Sequence, residues 1–329
     1  MKISLVRDSE SSERDISIDL LKGLLVIQMV LAHCLQINGT GDFYGISPIA
    51  NTVSFTGFTF CFGFATWKAY FFEDRRRYKN AIKTSIKCLM AYFISAIYYE
   101  VVKQGNGLST ILDVISFKTL AGYSEFLLSF SLIILMPVFF RKIIDIATES
   151  ELNLFLASAV CSIPTFYHPV NPNPLLGSMI GGNNFSYFPV ISYFPIFMAG
   201  IYTAKKDKAP LAFCAIALIC LIFKLTIHQE QMTRFPPSLW WVTSSFGGFI
   251  AYRIIANAIL WSNARNIIRA LRNIGENVLA YLLLSNILIF TFSRIGYTGR
   301  DIKFVLALYI IFMASISFII NLNNRKSVK

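Results

Sequence analysis

Charged residues are scarce in this chain. Only 15% of its 329 residues are Asp, Glu, Lys or Arg, whereas soluble domains carry about 25%. Acidic residues are the scarcer kind, with 18 Asp and Glu against 30 Lys and Arg. This composition argues against an ordinary soluble globule. It also excludes a disordered chain, a collagen-like chain and a coiled coil, all of which depend on polar or repetitive sequence.

Histidine and cysteine are few, and neither is arranged for a metal. The chain has three His and six Cys, and the Cys lie in or beside apolar stretches without the paired spacing of a metal site. We interpret the Cys as packing residues and predict no bound metal. A Gly-rich phosphate loop and a nucleophile elbow are also missing from the sequence.

Apolar residues are abundant. Hydrophobic residues make up 55% of the chain, with 30 Phe and 15 Tyr, and the mean hydropathy is +0.57. One soluble core could hardly bury so much apolar surface, so we predict an all-α, polytopic integral membrane protein. A bilayer needs roughly 20 apolar residues per helix, and about ten segments qualify. The predicted spans are 17–37, 48–71, 86–102, 123–140, 152–167, 187–204, 210–227, 238–260, 277–292 and 304–322.

The positions of the basic residues predict the orientation. Most Lys and Arg fall in the two chain ends and in the loops after the second, fourth, sixth and eighth predicted spans. Cytoplasmic loops carry such an excess, so both termini are predicted to be cytoplasmic, in the inner or plasma membrane. The net charge of +12 then reflects topology, and nucleic-acid binding is not expected. We divide the chain into a cytoplasmic segment 1–16, one transmembrane domain 17–322 and a cytoplasmic tail 323–329.

Two loops allow more than one interpretation. Arg265, Arg269 and Arg272 recur every three to four residues, which predicts a helix lying on the membrane surface or, alternatively, a phosphate-binding patch. On the outer side, segment 169–186 is rich in Pro, Gly and Asn. It is either an ordinary connecting loop or a surface that faces a sugar.

The first predicted span carries three ionisable residues along one face. Lys22 and His33 are eleven residues apart, which is three helical turns, and Asp19 falls close to the same face. Ionisable residues inside a membrane are costly and mark functional sites by default. The simpler alternatives are an interfacial Asp19–Lys22 ion pair and a His33 that merely packs against a neighbouring helix.

Charges in other spans suggest a path through the protein. Lys87 and Arg253 are predicted to lie toward the cytoplasmic side, and Glu125 and Lys224 toward the outer side. A tunnel with cations at its inner mouth suits an anionic ligand that enters from the cytoplasm. Ion pairs between helices would explain the same residues.

The first span resembles a known family. Segment 14–23 (Arg-Asp-Ile-Ser-Ile-Asp-Leu-Leu-Lys-Gly), with His33 after it, is similar to the opening of the membrane acyltransferase superfamily. That superfamily includes the type-three acyltransferases of bacterial glycans and the heparan-glucosaminide acetyltransferase-like proteins. Its pattern is an Asp, an Arg followed by Gly or Ala, and a His eleven residues after the Arg. Asp19 and His33 match this pattern, and Lys22 replaces the Arg.

Three other segments resemble the family more loosely. They are 62–64 (Phe-Gly-Phe), 234–238 (Arg-Phe-Pro-Pro-Ser) and 275–277 (Gly-Glu-Asn). The sequence also departs from the family pattern at two places. A pair of arginines at the third span is reduced to Lys87, and Glu125 stands where a Trp is usual.

The resemblance implies an O-acyltransferase that moves an acetyl group from acetyl-CoA to a hydroxyl of a sugar or glycan, such as a cell-surface polysaccharide. His33 would act with Asp19 as general base or would carry the acyl group. Glu125, as a buried charge, and Arg234, in a segment similar to a family motif, are predicted to bind the acceptor. The alternatives are a transporter or flippase for a glycan-lipid or small anionic solute, and N-acylation of an amino sugar. The residues implied in holding the coenzyme phosphates are Lys22, Lys87, Arg75, Arg76 and Arg77.

Overall fold

A computed structural model describes residues 15–39, 46–71, 78–167, 169–170, 173–183, 187–226 and 233–327. Within these ranges the fold is all-α, as predicted, and its two β-bridges are isolated pairs. The helices are α1 (Ile16–Asn38), α2 (Ile46–Thr66), α3 (Tyr78–Tyr98), α4 (Ser109–Ile115), α5 (Glu125–Ala147), α6 (Glu151–Cys161), α7 (Pro174–Ile180), α8 (Val190–Lys206), α9 (Leu211–Thr226), α10 (Leu239–Trp261), α11 (Arg265–Glu276), α12 (Val278–Arg294) and α13 (Ile302–Ser327).

Each of the ten predicted spans overlaps one of these helices, and α4, α7 and α11 lie between the spans. In the described part of the chain, four helices are long and apolar enough to cross a membrane: α1, α3 with its π-helical continuation to Lys103, α5 and α13. The pair α11 and α12 is a fifth candidate, bent by 81°. The protein therefore has the helices of a membrane protein, and ten crossings remains a prediction.

Helix α6 is shorter than the span predicted at 152–167. It ends at Cys161, and one 3₁₀ turn (Ile163–Phe166) that contains Pro164 follows it. Pro has no backbone N–H to continue a helix. Eleven residues reach ~16 Å, about half of a 30 Å hydrocarbon core.

Helix α1 lies at the centre of the bundle. It begins where the Asp15 carboxylate accepts hydrogen bonds from the backbone N–H groups of Ser17 and Ile18. Apart from Ile16 at its start, its apolar side chains are buried or partly buried, and it contacts α2, α10, α11, α12 and α13. Helices that are apolar all round belong in a protein interior or a membrane. Any polar residue on α1 is therefore held inside the protein.

Several other helices turn apolar side chains outward. On α9, Leu225 is 75% exposed and Ile219 is 66% exposed, and Phe318 on α13 is 64% exposed. Soluble monomers rarely expose such continuous apolar faces. These faces suit contact with lipid tails.

Helix α11 confirms the predicted helical face of basic residues. Arg265, Arg269 and Arg272 are exposed, and the opposite side buries Leu271 and Ile274. That buried side packs against the N-terminal half of α1. The side of the helix with Leu271 and Ile274 is therefore covered by protein, and its basic side is left for lipid headgroups or water.

The packing of α2 on α8 depends on two glycines. A Cβ atom on Gly63 would collide with the carbonyl oxygen of Phe197, and one on Gly200 would collide with the carbonyl oxygen of Phe60. The two helix backbones are therefore in direct contact. Small residues bring transmembrane helices together in this way.

We expect Gly200→Ala to destabilise the protein by ~1–3 kcal/mol, because the added methyl group must push two backbones apart. Thermal unfolding of the detergent-solubilised protein measures the effect. Gly107→Ala is the matched control, since a Cβ there meets nothing nearer than 3.8 Å. Equal melting temperatures for the two variants would contradict this account of the interface.

Candidate functional site

A cavity of about 250 Å³ lies between α1, α2 and α5. Three residues predicted from the sequence as site residues come together in its wall: His33, Glu125 and Arg234. They belong to α1, to the first turn of α5 and to the segment before α10. The other side chains of the wall are mainly aromatic or neutral and polar. These include Gln36, Asn51, Ser54, Phe55, Phe58, Tyr123, Phe126, Phe130, Phe188 and Phe235.

Asn286 on α12 orients the imidazole of His33. The His33 Nδ1 lies 3.2 Å from the Asn286 Oδ1. The Asn286 Nδ2 donates to the Ser95 Oγ at 3.1 Å and to the carbonyl oxygen of Tyr123 at 3.0 Å. Because both amide hydrogens are used, the Oδ1 must accept, and the His33 Nδ1 must donate. The Nε2 atom is then unprotonated and able to accept a proton from a ligand.

Tyr123 holds the imidazole from a second direction. Its ring meets that of His33 edge to face, with 5.2 Å between centroids. Its backbone is left-handed, with φ of 63°, a conformation that costs a bulky residue about 1–3 kcal/mol and persists only where the surroundings enforce it. The hydrogen bond from Asn286 to the Tyr123 carbonyl is one such constraint. The geometry of the site is therefore fixed by strained backbone as well as by side chains.

Glu125 and Arg234 bring opposite charges to the cavity. Glu125 is 8% exposed, and its Oε2 has no hydrogen-bond partner among the described residues. The Arg234 Nε is also buried and has no hydrogen-bond partner among the described residues. The Arg234 guanidinium lies over the rings of Phe188 and Phe235, 5.4 and 4.6 Å from their centroids. The two charges act on each other, but the described residues form no ion pair here within 4 Å. Both groups are available to a ligand.

Asp19 and Lys22 lie elsewhere on α1. Their side chains form an ion pair of 2.6 Å, and Asp19 is 2% exposed. Asp19 precedes His33 by fourteen residues, which is about 21 Å along a helix, and neither residue lines the cavity. The side chain that hydrogen-bonds to His33 is therefore that of Asn286, and the predicted catalytic pair of Asp19 with His33 makes no direct contact.

The predicted coenzyme-binding residues do not line this cavity. Lys87 is exposed on α3, on the same face as Lys79 and Lys83. Arg75, Arg76 and Arg77 lie outside the described residues. Within the described ranges, no three His, Cys, Asp or Glu side chains approach closely enough to hold a metal ion together.

Asn286, Ser95 and Tyr123 were not identified from the sequence. None of them is charged, so none stands out in a search for ionisable residues within apolar segments. Asn286 does carry one signal, because an amide in the middle of an apolar helix is costly unless it is paired. Its partners come from α3 and from the segment before α5, and no local pattern indicates them.

The fold and the site define a class of protein: a helical membrane protein with a cavity of aromatic and polar side chains in its bundle. No family model matches the chain, and no curated protein or solved structure matches it either. Its function has to be inferred from the chemistry of the cavity.

We expect His33 to be the Nδ1–H tautomer in solution, because the Asn286 Oδ1 needs a donor. The chain has three His, so nitrogen NMR of protein labelled only at histidine is simple, and His168→Gln and His228→Gln assign the remaining signals to His33. Asn286→Leu should shift His33 toward the Nε2–H tautomer. An Nε2–H tautomer in the unmodified protein would contradict the assigned hydrogen bonding.

Proposed function

We propose that the protein is a membrane-embedded O-acyltransferase. It moves an acetyl or other short acyl group from cytoplasmic acyl-CoA to a hydroxyl of a sugar or glycan. The observation that carries the proposal is the His33–Asn286 hydrogen bond at the wall of the cavity. It leaves one imidazole nitrogen free, which is what a general base or an acyl carrier requires. The resemblance of the first helix to membrane acyltransferases supports it.

In the proposed reaction, the acceptor hydroxyl lies against the His33 Nε2. The hydroxyl oxygen attacks the thioester carbonyl, a C–O bond forms, and the C–S bond to coenzyme A breaks. The Nε2 takes the hydroxyl proton and passes it to the departing thiolate. The Asn286 Oδ1 accepts from the Nδ1–H throughout, so it stabilises the imidazolium that forms between these steps. If His33 carries the acyl group instead, the same nitrogen is the nucleophile.

The donor would approach from the opposite end of α1. In the predicted orientation, His33 lies in the outer half of the bundle and Lys22 near the inner surface. The two are separated by about 16 Å along the helix. Acyl-CoA would keep its phosphates at the inner surface, among basic residues that include Lys22. Its acyl end would reach along α1 into the cavity.

A transporter is the second candidate, because helices α11 and α12 together have the form of a broken span. Helices α11 and α12 meet at Asn277 with a bend of 81°, and discontinuous helices are typical of transporter binding sites. Glu125 and Arg234 would then mark the path of a solute. Such a protein needs no acyl donor.

We expect His33→Ala to lower acetyl transfer by roughly 10²–10⁴-fold, the usual contribution of a general base. The assay measures release of free coenzyme A from acetyl-CoA by the purified protein in nanodiscs, with a panel of glycosides as acceptors. Removal of the acetyl group by mild alkali distinguishes an O-acetyl ester from an N-acetyl product. His228→Gln is the control for loss of an imidazole elsewhere. Unchanged transfer by His33→Ala would overturn the assignment, and solute uptake without any transfer would favour the transporter.

The predicted orientation has its own test. Green fluorescent protein fused after Lys329 should fluoresce, and alkaline phosphatase at the same position should be inactive, because each reports the side of the membrane on which it folds. The opposite pair of results would place the C-terminus outside. The donor path along α1 would then have to be reversed.

A further inference from the structure

The cavity contains buried charge of both signs without a protein partner for either atom. The Glu125 Oε2 and the Arg234 Nε are enclosed and lack hydrogen bonds among the described residues. An unsatisfied buried polar atom costs about 1–3 kcal/mol, and more if its group is charged. Two such atoms lie in this site. It is therefore suited to a ligand that donates a hydrogen bond to Glu125 and accepts one from Arg234.

The formal charges of the ionisable side chains in the cavity wall balance. Glu125 contributes one negative charge and Arg234 one positive charge, while His33 is neutral in the tautomer that Asn286 selects. The other polar side chains of the wall are amides and hydroxyls, among them Gln36 and Asn51. An anionic or cationic ligand would satisfy one charge and leave the other uncompensated, which is expensive in an apolar interior. A ligand without net charge satisfies both.

The remaining wall favours a ring-shaped ligand with an apolar face. Phe55 packs against Phe188 with 4.4 Å between ring centroids and stacks on Phe130 at 5.1 Å, and all three line the cavity. Aromatic rings present flat apolar faces on which the C–H groups of a sugar ring can pack, while its hydroxyls reach the polar side chains. A volume of about 250 Å³ is at the small end for ligand sites. It suits one sugar ring and not an oligosaccharide.

We propose that the cavity is a binding site for a single electroneutral sugar ring, and that it selects against uronates and amino sugars. The inference rests on the proposed function in taking a sugar as the acceptor. One hydroxyl lies at the His33 Nε2, a second donates to the Glu125 carboxylate, and an oxygen of the ring or its substituents accepts from the Arg234 guanidinium. Glu125 and Arg234 together determine the specificity for charge.

The test is direct binding to the full chain in nanodiscs, by titration calorimetry and without acetyl-CoA. The probes are methyl glucoside, methyl glucuronide and methyl glucosaminide, which differ mainly in charge, together with zwitterionic L-serine. The neutral glycoside should bind at least tenfold more tightly than each of the others. The proposal is overturned if a charged glycoside or L-serine binds more tightly than the neutral glycoside, or if no glycoside binds measurably.

Two near-isosteric variants test the roles of the charges. Glu125→Gln leaves the positive charge of Arg234 unbalanced, so the glucuronide should gain at least tenfold in affinity while the neutral glycoside changes by only a few fold. Arg234→Gln leaves the negative charge of Glu125 unbalanced, so the glucosaminide should gain at least tenfold in affinity. Lys224→Gln is the control, because Lys224 contacts Thr52 and the Trp241 ring and does not line this cavity. If both cavity variants keep the order of glycoside affinities of the unmodified protein, the proposal is overturned. If the variants fail to fold, the order of affinities in the unmodified protein is the test.

Failure of this inference can be told from failure of the proposed function. If the neutral glycoside binds as expected but no acetyl group is transferred, the sugar site stands and the acyltransferase assignment falls. If acetyl transfer occurs but a charged glycoside is the better ligand, the acyltransferase stands and the neutral-sugar inference falls.

Discussion

A polar group inside an apolar bundle must find its partner within the protein, because no water is there to replace it. This constraint explains the arrangement around His33. The Asn286 amide serves three groups at once, the His33 imidazole, the Ser95 hydroxyl and the Tyr123 carbonyl. Ser124 in turn donates to Ser95 at 2.7 Å. The result links α1, α3, α12 and the start of α5, so the packing of four segments and the chemistry of one histidine depend on the same hydrogen bonds.

The same constraint indicates where a ligand belongs. Most polar side chains in the bundle are satisfied; Thr56, for example, pairs with Ser245 at 2.6 Å, and Gln28 donates to Ser54 at 3.1 Å. Glu125 and Arg234 carry the most expensive groups, and both have an unsatisfied atom in one cavity wall. Proteins do not bury such groups for stability alone. The free-energy cost of burying these atoms is offset when a bound molecule supplies the missing hydrogen bonds.

Close backbone contacts keep the N-terminal end of α1 in place. Near the N-terminal end of α1, a Cβ on Gly23 would collide with the Leu271 carbonyl oxygen, and one on Gly275 would collide with that of Asp19. These contacts fix α11, with its exposed arginines, against α1. Because α1 is a continuous helix from Ile16 to Asn38, the Asp19–Lys22 pair and the His33 imidazole are held at a constant separation. This fixed spacing is compatible with the proposed reaction, in which the donor enters at one end of α1 and the acceptor binds at the other.

Composition and apolar run length determined the all-α class and the positions of ten helices, since these depend on local sequence. Helical spacing also indicated the Asp19–Lys22 pair, and burial cost alone singled out His33 and Glu125, while Arg234 was identified through the segment that resembles the family motif. Only the tertiary structure decided that His33, Glu125 and Arg234 share one wall, while Lys22 and Lys87 do not. It also revealed Asn286, which lies 253 positions from His33. Contacts over such separations arise from how helices pack, and no local periodicity encodes that packing.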